Sequence, residues 1–336
     1  VLPTLIMAIV VSMLRTSLVA VPALRRVEPA MSSGPTAGAI WRSTKFCSSE
    51  PGQQVMKMIL PPALRARVST PRTNGVMPLA ETPTSPAALI DALVFDLDYP
   101  DSVLACVTAA RENARQVREE INSDMWEQLN ALFLRLKQAR TEGTWSSRPH
   151  YICRMAIEGV HLFAGVTDAT MSYGEGWQYL QAGRYLERAG ATAALVDLYF
   201  REDVRLPPTH AEWVGLLRSC AALEAYCRCY TAHLRPELVA EFLLLNQDFP
   251  RSVRFSAARV ESALRAVAQL AGRTNDGRAE RLAGRLHASL DYGQVDEILS
   301  EDPHAYLEAV GRYCAQIHAA AYQSYISYPI ESALPA

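Results

Sequence analysis

Residues 174–200 read GEGWQYLQAGRYLERAGATAALVDLYF, and this stretch decides the fold. Tyr179, Ala182, Leu186, Ala189, Ala193, Val196 and Phe200 recur at alternating spacings of three and four. That is one continuous apolar stripe along about seven turns of α-helix. Gly183, Glu187, Gly190 and Ala194 fall on an adjoining face, so a carboxylate stands among small residues. Small neighbours let another backbone approach and partly bury Glu187. A carboxylate placed there needs donors, and Arg184 and Arg188 are the nearest in sequence.

The pattern on either side is also helical. AALIDALVFDLDYPDSVLACVTAARENARQVREEI, from Ala87, reads as a short helix, a turn and a long helix opened by Pro100 in its first turn. The next helix, MWEQLNALFLRLKQAR, places Trp126, Leu129, Leu132, Phe133 and Leu136 on one side, and Gly143 to Pro149 end it. Helices are also expected over Tyr151–Thr167, His210–Ala232, Glu237–Leu245, Ser252–Ala271, Asp276–Leu290 and Ala305–Ile326. No strand alternation occurs after residue 87. The expected class is therefore all-α, with a core that includes Leu104, Val107, Trp126, Leu129, Phe133, Leu180, Leu186 and Val196.

The helical region carries an internal repeat. Asp98-Tyr99-Pro100-Asp101-Ser102-Val103 matches Asp248-Phe249-Pro250-Arg251-Ser252-Val253 at an offset of 150, and identities extend to Arg115/Arg265 and Val117/Val267. A helical bundle of two pseudo-symmetric repeats is the expected architecture. That duplication calls for a partner to Gly183–Ala189 near residue 33, where the chain instead reads MSSGPTAGAI.

Residues 1–86 differ in kind. They carry nine Lys and Arg against three Glu, a net of +6, while the whole chain carries −2. They also hold eleven of the twenty prolines and no Asp or Tyr. The prolines interrupt most helices attempted there, so a poorly ordered, basic segment is expected over 1–86, with the helical domain over 87–336. Two origins fit this segment: a divergent extension, or an out-of-frame translation joined to the correct frame before Ala87. Translating the coding DNA in its other frames separates them, since only the second origin yields an amphipathic helix with an Arg-Tyr-x-Glu-Arg core. Val1 to Leu14 is apolar but too short to span a bilayer and lacks the basic start of a secretory signal. The expected location is the cytoplasm.

Four separated phrases together resemble the alpha-E domain family, a bacterial all-helical family without an established activity. They are residues 100–130, GVTDATMSYGEGW (165–177), GRYLERA (183–189) and DFPRSVRF (248–255). The resemblance covers roughly residues 87–330, in the family's order. Family members usually begin with a further Gly-Arg-Tyr-x-Glu-Arg-Ala-Glu helix, absent here where the repeat leaves its gap, and usually carry an acidic residue at the position of Gly190. Members are often encoded beside ATP-grasp-like ligases and transglutaminase-like proteins. The resemblance thus implies a helical accessory or partner protein of a system that forms or trims amide-linked peptides.

Two roles fit Glu187 with Arg184 and Arg188. They either orient a substrate carboxylate or act as a tuned base, making the chain an enzyme on an amide or carboxylate substrate, or they form a structural ion-pair network. Asp168, in Thr167-Asp168-Ala169-Thr170, reads as a turn or capping group, with catalysis as the alternative. Glu158-Gly-Val-His161 has the Glu-x-x-His spacing of di-iron bundles, yet its only companion, Glu301-Asp-Pro-His304, contains a proline and reads as a turn. No metal site or cofactor is expected, and His161 reads as a buried or interface histidine. Arg111, Glu112, Asn113, Arg115 and Arg118, with Glu119 and Glu120, make a charged helix face, either solvated or a docking face, with Arg115 pairing to Glu119. The near-neutral charge and core-spaced aromatics give no sign of nucleic-acid binding. Of seven cysteines, none in a Cys-x-x-Cys pair, Cys106, Cys153, Cys220, Cys227, Cys229 and Cys314 lie in helical patterns and read as buried thiols of a reducing compartment.

Overall fold

Every regular element among the described residues of the computed structural model is a helix. Those residues are 91–99, 102–143, 145, 149–200, 208–231, 233–272 and 277–325. The irregular segment expected over 1–86 and the expected helix-opening Pro100 lie outside them. The described residues cluster into two compact units, one ending at Met171 and the other beginning at Ser172.

The first unit contains a π-helical turn (Asp91–Phe95), α1 (Val103–Gln116), α2 (Ser123–Glu142) and α3 (Pro149–Thr170). The helix expected to open at Pro100 begins instead at Val103. Ser102 is its N-cap, and its hydroxyl accepts the Ala105 N–H at 3.1 Å, satisfying one of the donors a helix start leaves free. α2 packs on both α1 and α3. Its buried residues are Met125, Leu129, Leu132, Leu136 and Ala139, one strict four-three stripe. Trp126 and Phe133, expected in this core, are half-buried beside the stripe. Gly143 ends α2 at φ 64°, the left-handed conformation that a glycine C-cap supplies without Cβ strain. Gly159 lets α3 lie close to α2, because a Cβ there would stand 2.6 Å from Leu132 Cδ1.

The second unit runs through α4 (Glu175–Phe200), α5 (His210–Ser219), α6 (Leu223–Tyr230), α7 (Pro236–Leu245), α8 (Val253–Leu270), α9 (Arg278–Asp291), α10 (Val295–Ser300) and α11 (Pro303–Tyr325). α4 packs on α8 and α11, and α9 packs on the same two, so the four long helices form a bundle with α4 across from α9. The pairings run antiparallel throughout. Tyr185 and Thr192 of α4 meet Phe255 and Arg251, and Tyr179, Gly190 and Asp197 meet Tyr325, Cys314 and His304. On α9, His287 and Asp291 meet Glu261 and Arg254. Short helices α5 to α7 bring together Tyr226, Tyr230 and Phe242, with ring centres 5.0–6.2 Å apart, and Phe249 joins them 4.9 Å from Phe242.

The start of α8 repeats the device that starts α1. Ser252 is the N-cap, accepting from Phe255 N–H at 3.1 Å, and its own N–H donates to the Phe249 carbonyl as Ser102 N–H donates to Tyr99. Upstream, Asp248 N–H bonds to Asn246 as Asp98 N–H bonds to Asp96, both at 2.9 Å.

The helix expected to run unbroken over His210–Ala232 is two. α5 ends in a Schellman turn: Ala222 N–H donates to Leu217 and Ala221 N–H to Arg218, with Ala221 at φ 51°. Glycine usually fills that position, so nothing in the sequence marks the break. Ala221→Gly is accordingly expected to stabilise the fold by about 0.5–1 kcal/mol, read as a higher urea midpoint. A lower midpoint would mean that Ala221 is not strained.

Candidate functional site

α4 is buried on nearly every side, which its small residues make possible. Gly183, Ala189, Gly190, Ala191 and Ala193 leave room for α8 and α11, while Leu180, Leu186 and Val196 fill the core. Five polar side chains go in with them: Gln181, Arg184 and Thr192, each 5% exposed, Glu187, 9% exposed, and Asp197, 3% exposed. The burial of Glu187 expected from its neighbours is thus found. Arg184 Nη1 donates to Gln181 Oε1 at 3.4 Å, and the Arg188 guanidinium lies 5.2 Å from the centre of the Tyr185 ring.

Cys314 of α11 faces Gly190, where an added Cβ would stand 3.9 Å from the Cys314 Cβ. Burial pushes the Cys314 thiol up to about 12, and the negative charge of Glu187 pushes in the same direction. A thiol held there stays protonated at neutral pH, so the pair does not make an activated nucleophile. At the other end of α4, the Tyr179 ring stands edge-on to Tyr325 at 6.1 Å, and the Tyr325 hydroxyl donates to Glu280. Farther along, Asp197 is buried and bonds His304 Nδ1 at 2.5 Å.

The expected site residues do not all gather here. Asp168 lies exposed in the last turn of α3, inside the helix and not at a cap, in the first unit; Arg184, Glu187 and Arg188 belong to the second. At that end Asn122 Nδ2 donates to Thr170 Oγ1. Glu158 and His161 are both exposed on α3, which removes the buried alternative of the two expected for His161, a buried or an interface histidine. Among the described residues no three His, Cys, Asp or Glu side chains converge as metal ligands do. Arg115 pairs with Glu112 at 2.7 Å, one turn back, and not with Glu119, which follows the end of α1. Cys106, Cys153, Cys220 and Cys314 are buried as expected, whereas Cys229 is exposed and Cys227 half-buried.

Glu280, like Asp197, is a buried acid that the sequence reading passed over, 3% exposed in the first turn of α9. Its signal was present: Glu187-Arg188 and Glu280-Arg281 are the two Glu-Arg steps of the whole chain, and both open onto a small-residue helix face.

A family model described as a predicted alpha-helical domain with a conserved ER motif matches residues 54–326. Uncharacterized proteins of Mycobacterium bovis and Mycobacterium tuberculosis are 22% identical over 233 residues. The match takes in 68% of this chain and 26% of theirs, so the chain spans about a quarter of the length of these relatives. No solved structure matches it.

Proposed function

The chain belongs to the Alpha-E family, matched over residues 54–326, and from that premise we propose that it is a helical accessory protein of a peptide-modification system, working with an ATP-grasp-like ligase or a transglutaminase-like enzyme. The observation that carries this reading is the share of the mycobacterial relatives that it occupies. There a helical unit of this kind is about a quarter of the protein, joined to a much longer remainder. A unit built to work beside other sequence fits an accessory role. The described helices, none of them long and apolar enough to cross a membrane, fit a place in the cytoplasm. The bonds shared between Asp96–Tyr99 with Ser102–Cys106 and Asn246–Phe249 with Ser252–Ser256 further support descent of the two units from one duplicated segment. A crystal structure in which Tyr99 and Phe249 enter their helices by different backbone paths would count against that descent.

Affinity purification of the tagged chain from its source cells tests the accessory role. A stable complex with an amide ligase or a transglutaminase-like protein is expected, and recovery of the chain alone while such an enzyme is expressed would overturn it. The burial of Arg184 and Glu187 on adjacent turns favours a second reading, an enzyme acting on an amide or carboxylate substrate. Glu187→Gln separates the two, because it keeps the shape and removes the charge. A structural Glu187 predicts a loss of about 1–3 kcal/mol in the urea transition with the complex otherwise unchanged. Lost turnover with an unshifted transition would make Glu187 catalytic.

A further inference from the structure

Arg251 is a cation set against the electrostatics of its own helix. It stands immediately before Ser252, the N-cap of α8, where the helix dipole is positive and no acid occupies the first turn. The matching position of the sequence repeat carries Asp101, the charge that a helix start favours. The backbone of Arg251 is nonetheless fixed. Its carbonyl accepts the Thr192 hydroxyl of α4 at 2.9 Å, and the next N–H, that of Ser252, donates to Phe249. The side chain is half-buried, and burial pushes the guanidinium down from its ordinary value. All of these residues lie within the second unit.

Nothing among the described residues offsets that cost. The Arg251 guanidinium has neither an ion pair nor a hydrogen bond there, and the one titratable group that acts on it is Cys220. That thiol is pushed up to about 12, chiefly by burial, so it is neutral at pH 7 and supplies no counter-charge. The last carbonyls of α5, beside Cys220, already accept: Leu216 from Cys220 N–H, Leu217 from Ala222 and Arg218 from Ala221. Neighbouring groups of α8 are committed as well. Arg254 gives its terminal nitrogens to Asp291 at 2.5 Å and to the Leu245 carbonyl at 3.3 Å. The Ser252 hydroxyl donates to the Asn246 carbonyl while accepting from Phe255 N–H. Asp248, exposed one turn back, forms no ion pair with Arg251. What remains is of one sign: the Arg251 fork, with the Val253 and Arg254 N–H groups, which have no acceptor among the described residues. An unpaired, desolvated cation next to free amide donors is the combination that an oxyanion neutralises.

We propose that Arg251 and the first turn of α8 form a binding site for one oxyanion, the carboxylate or phosphate group of a small ligand that reaches the partly exposed guanidinium from solvent. The planar fork is suited to pairing with two oxygens of such a group. The site depends on neither the accessory role nor the part played by Glu187.

Thermal unfolding of the full chain at neutral pH tests it, in sodium phosphate and in sodium acetate, each against sodium chloride of equal ionic strength. At least one of the two anions is expected to raise the midpoint by about 2–4 °C over chloride, and the one that binds more tightly identifies the class of ligand. Arg251→Lys is expected to weaken that anion by about tenfold, because lysine keeps the charge but lacks the planar fork. Arg251→Gln is expected to abolish the rise. In chloride alone the glutamine variant should unfold no earlier than the wild type, because it removes a desolvated charge that has no partner. A wild-type midpoint that neither anion moves would overturn the site, as would an equal rise in the glutamine variant. A glutamine variant that unfolds earlier in chloride, or does not fold, would also overturn it by making Arg251 a structural residue.

Discussion

Replacing Phe242 by alanine is expected to destabilise the second unit by about 3–5 kcal/mol. The ring is 1% exposed and touches three others: Tyr226 and Tyr230 edge-on at 5.6 and 6.2 Å, and Phe249 at 4.9 Å. Alanine removes the buried area and leaves a cavity that three rigid rings cannot collapse to fill, so the transfer and cavity terms add. The loss also loosens Phe249, whose carbonyl receives the Ser252 N–H at the start of α8. Trp126→Ala provides the contrast. Pattern alone places Trp126 in the core at a similar cost, but it is half-buried, and its removal frees Arg111 and Arg118 without opening a core void. Urea transitions of both variants check the pair of expectations. A Trp126→Ala loss as large as that of Phe242→Ala would refute the half-exposed placement.

Alkaline pH is expected to unfold the protein well before its arginines lose charge. Burial pushes the Cys153, Cys220 and Cys314 thiols from the ordinary 9.0 up to about 12. A neutral acid whose folded value is raised contributes stability that is fully present below 9. The unfolded chain then releases protons that the folded one retains, and the contribution is lost as pH rises from 9 toward 12. Each thiol lowers stability by up to about 1.4 kcal/mol per pH unit in that window. Tyr230, pushed up to about 12 by burial and by Glu241, adds to the upper part of it. Urea midpoints at pH 8 and pH 10.5 should differ strongly, and Cys314→Ala should narrow the difference. Equal midpoints would mean that the thiols titrate as freely in the folded chain as in the unfolded one.

How far the sequence could be read depends on which signals are local. α4 was legible because its stripe keeps a helical period without interruption over 26 residues, and small neighbours announced the burial of Glu187. α2 was legible as a helix with Leu129, Leu132 and Leu136 on its packed side, but Trp126 and Phe133 were misplaced and Met125 was missed. Trp126 and Phe133 outweigh Met125 in a reading by hydrophobic bulk, and the arginines stacked on them explain why the rings turn partly outward. The break between α5 and α6 gave no sign because alanine occupies the left-handed position. The pairing of Asp197 with His304 spans 107 residues, and no local pattern marks it. Glu280 stayed hidden because an acid in a first turn is ordinarily a solvent-exposed partner of the helix dipole.

The order of helices along the chain also sets a schedule for synthesis. α4 leaves the ribosome before either helix that will cover it, and the 107 residues between Asp197 and His304 take about 5–20 s to translate. During that interval the face destined for α11 is open to solvent and to chaperones. Gln181, Arg184, Glu187 and Asp197 lie on that helix and hydrate well, so the nascent segment is less prone to self-association than an all-leucine face would be. The polar residues that burden the finished core thereby protect the unfinished one.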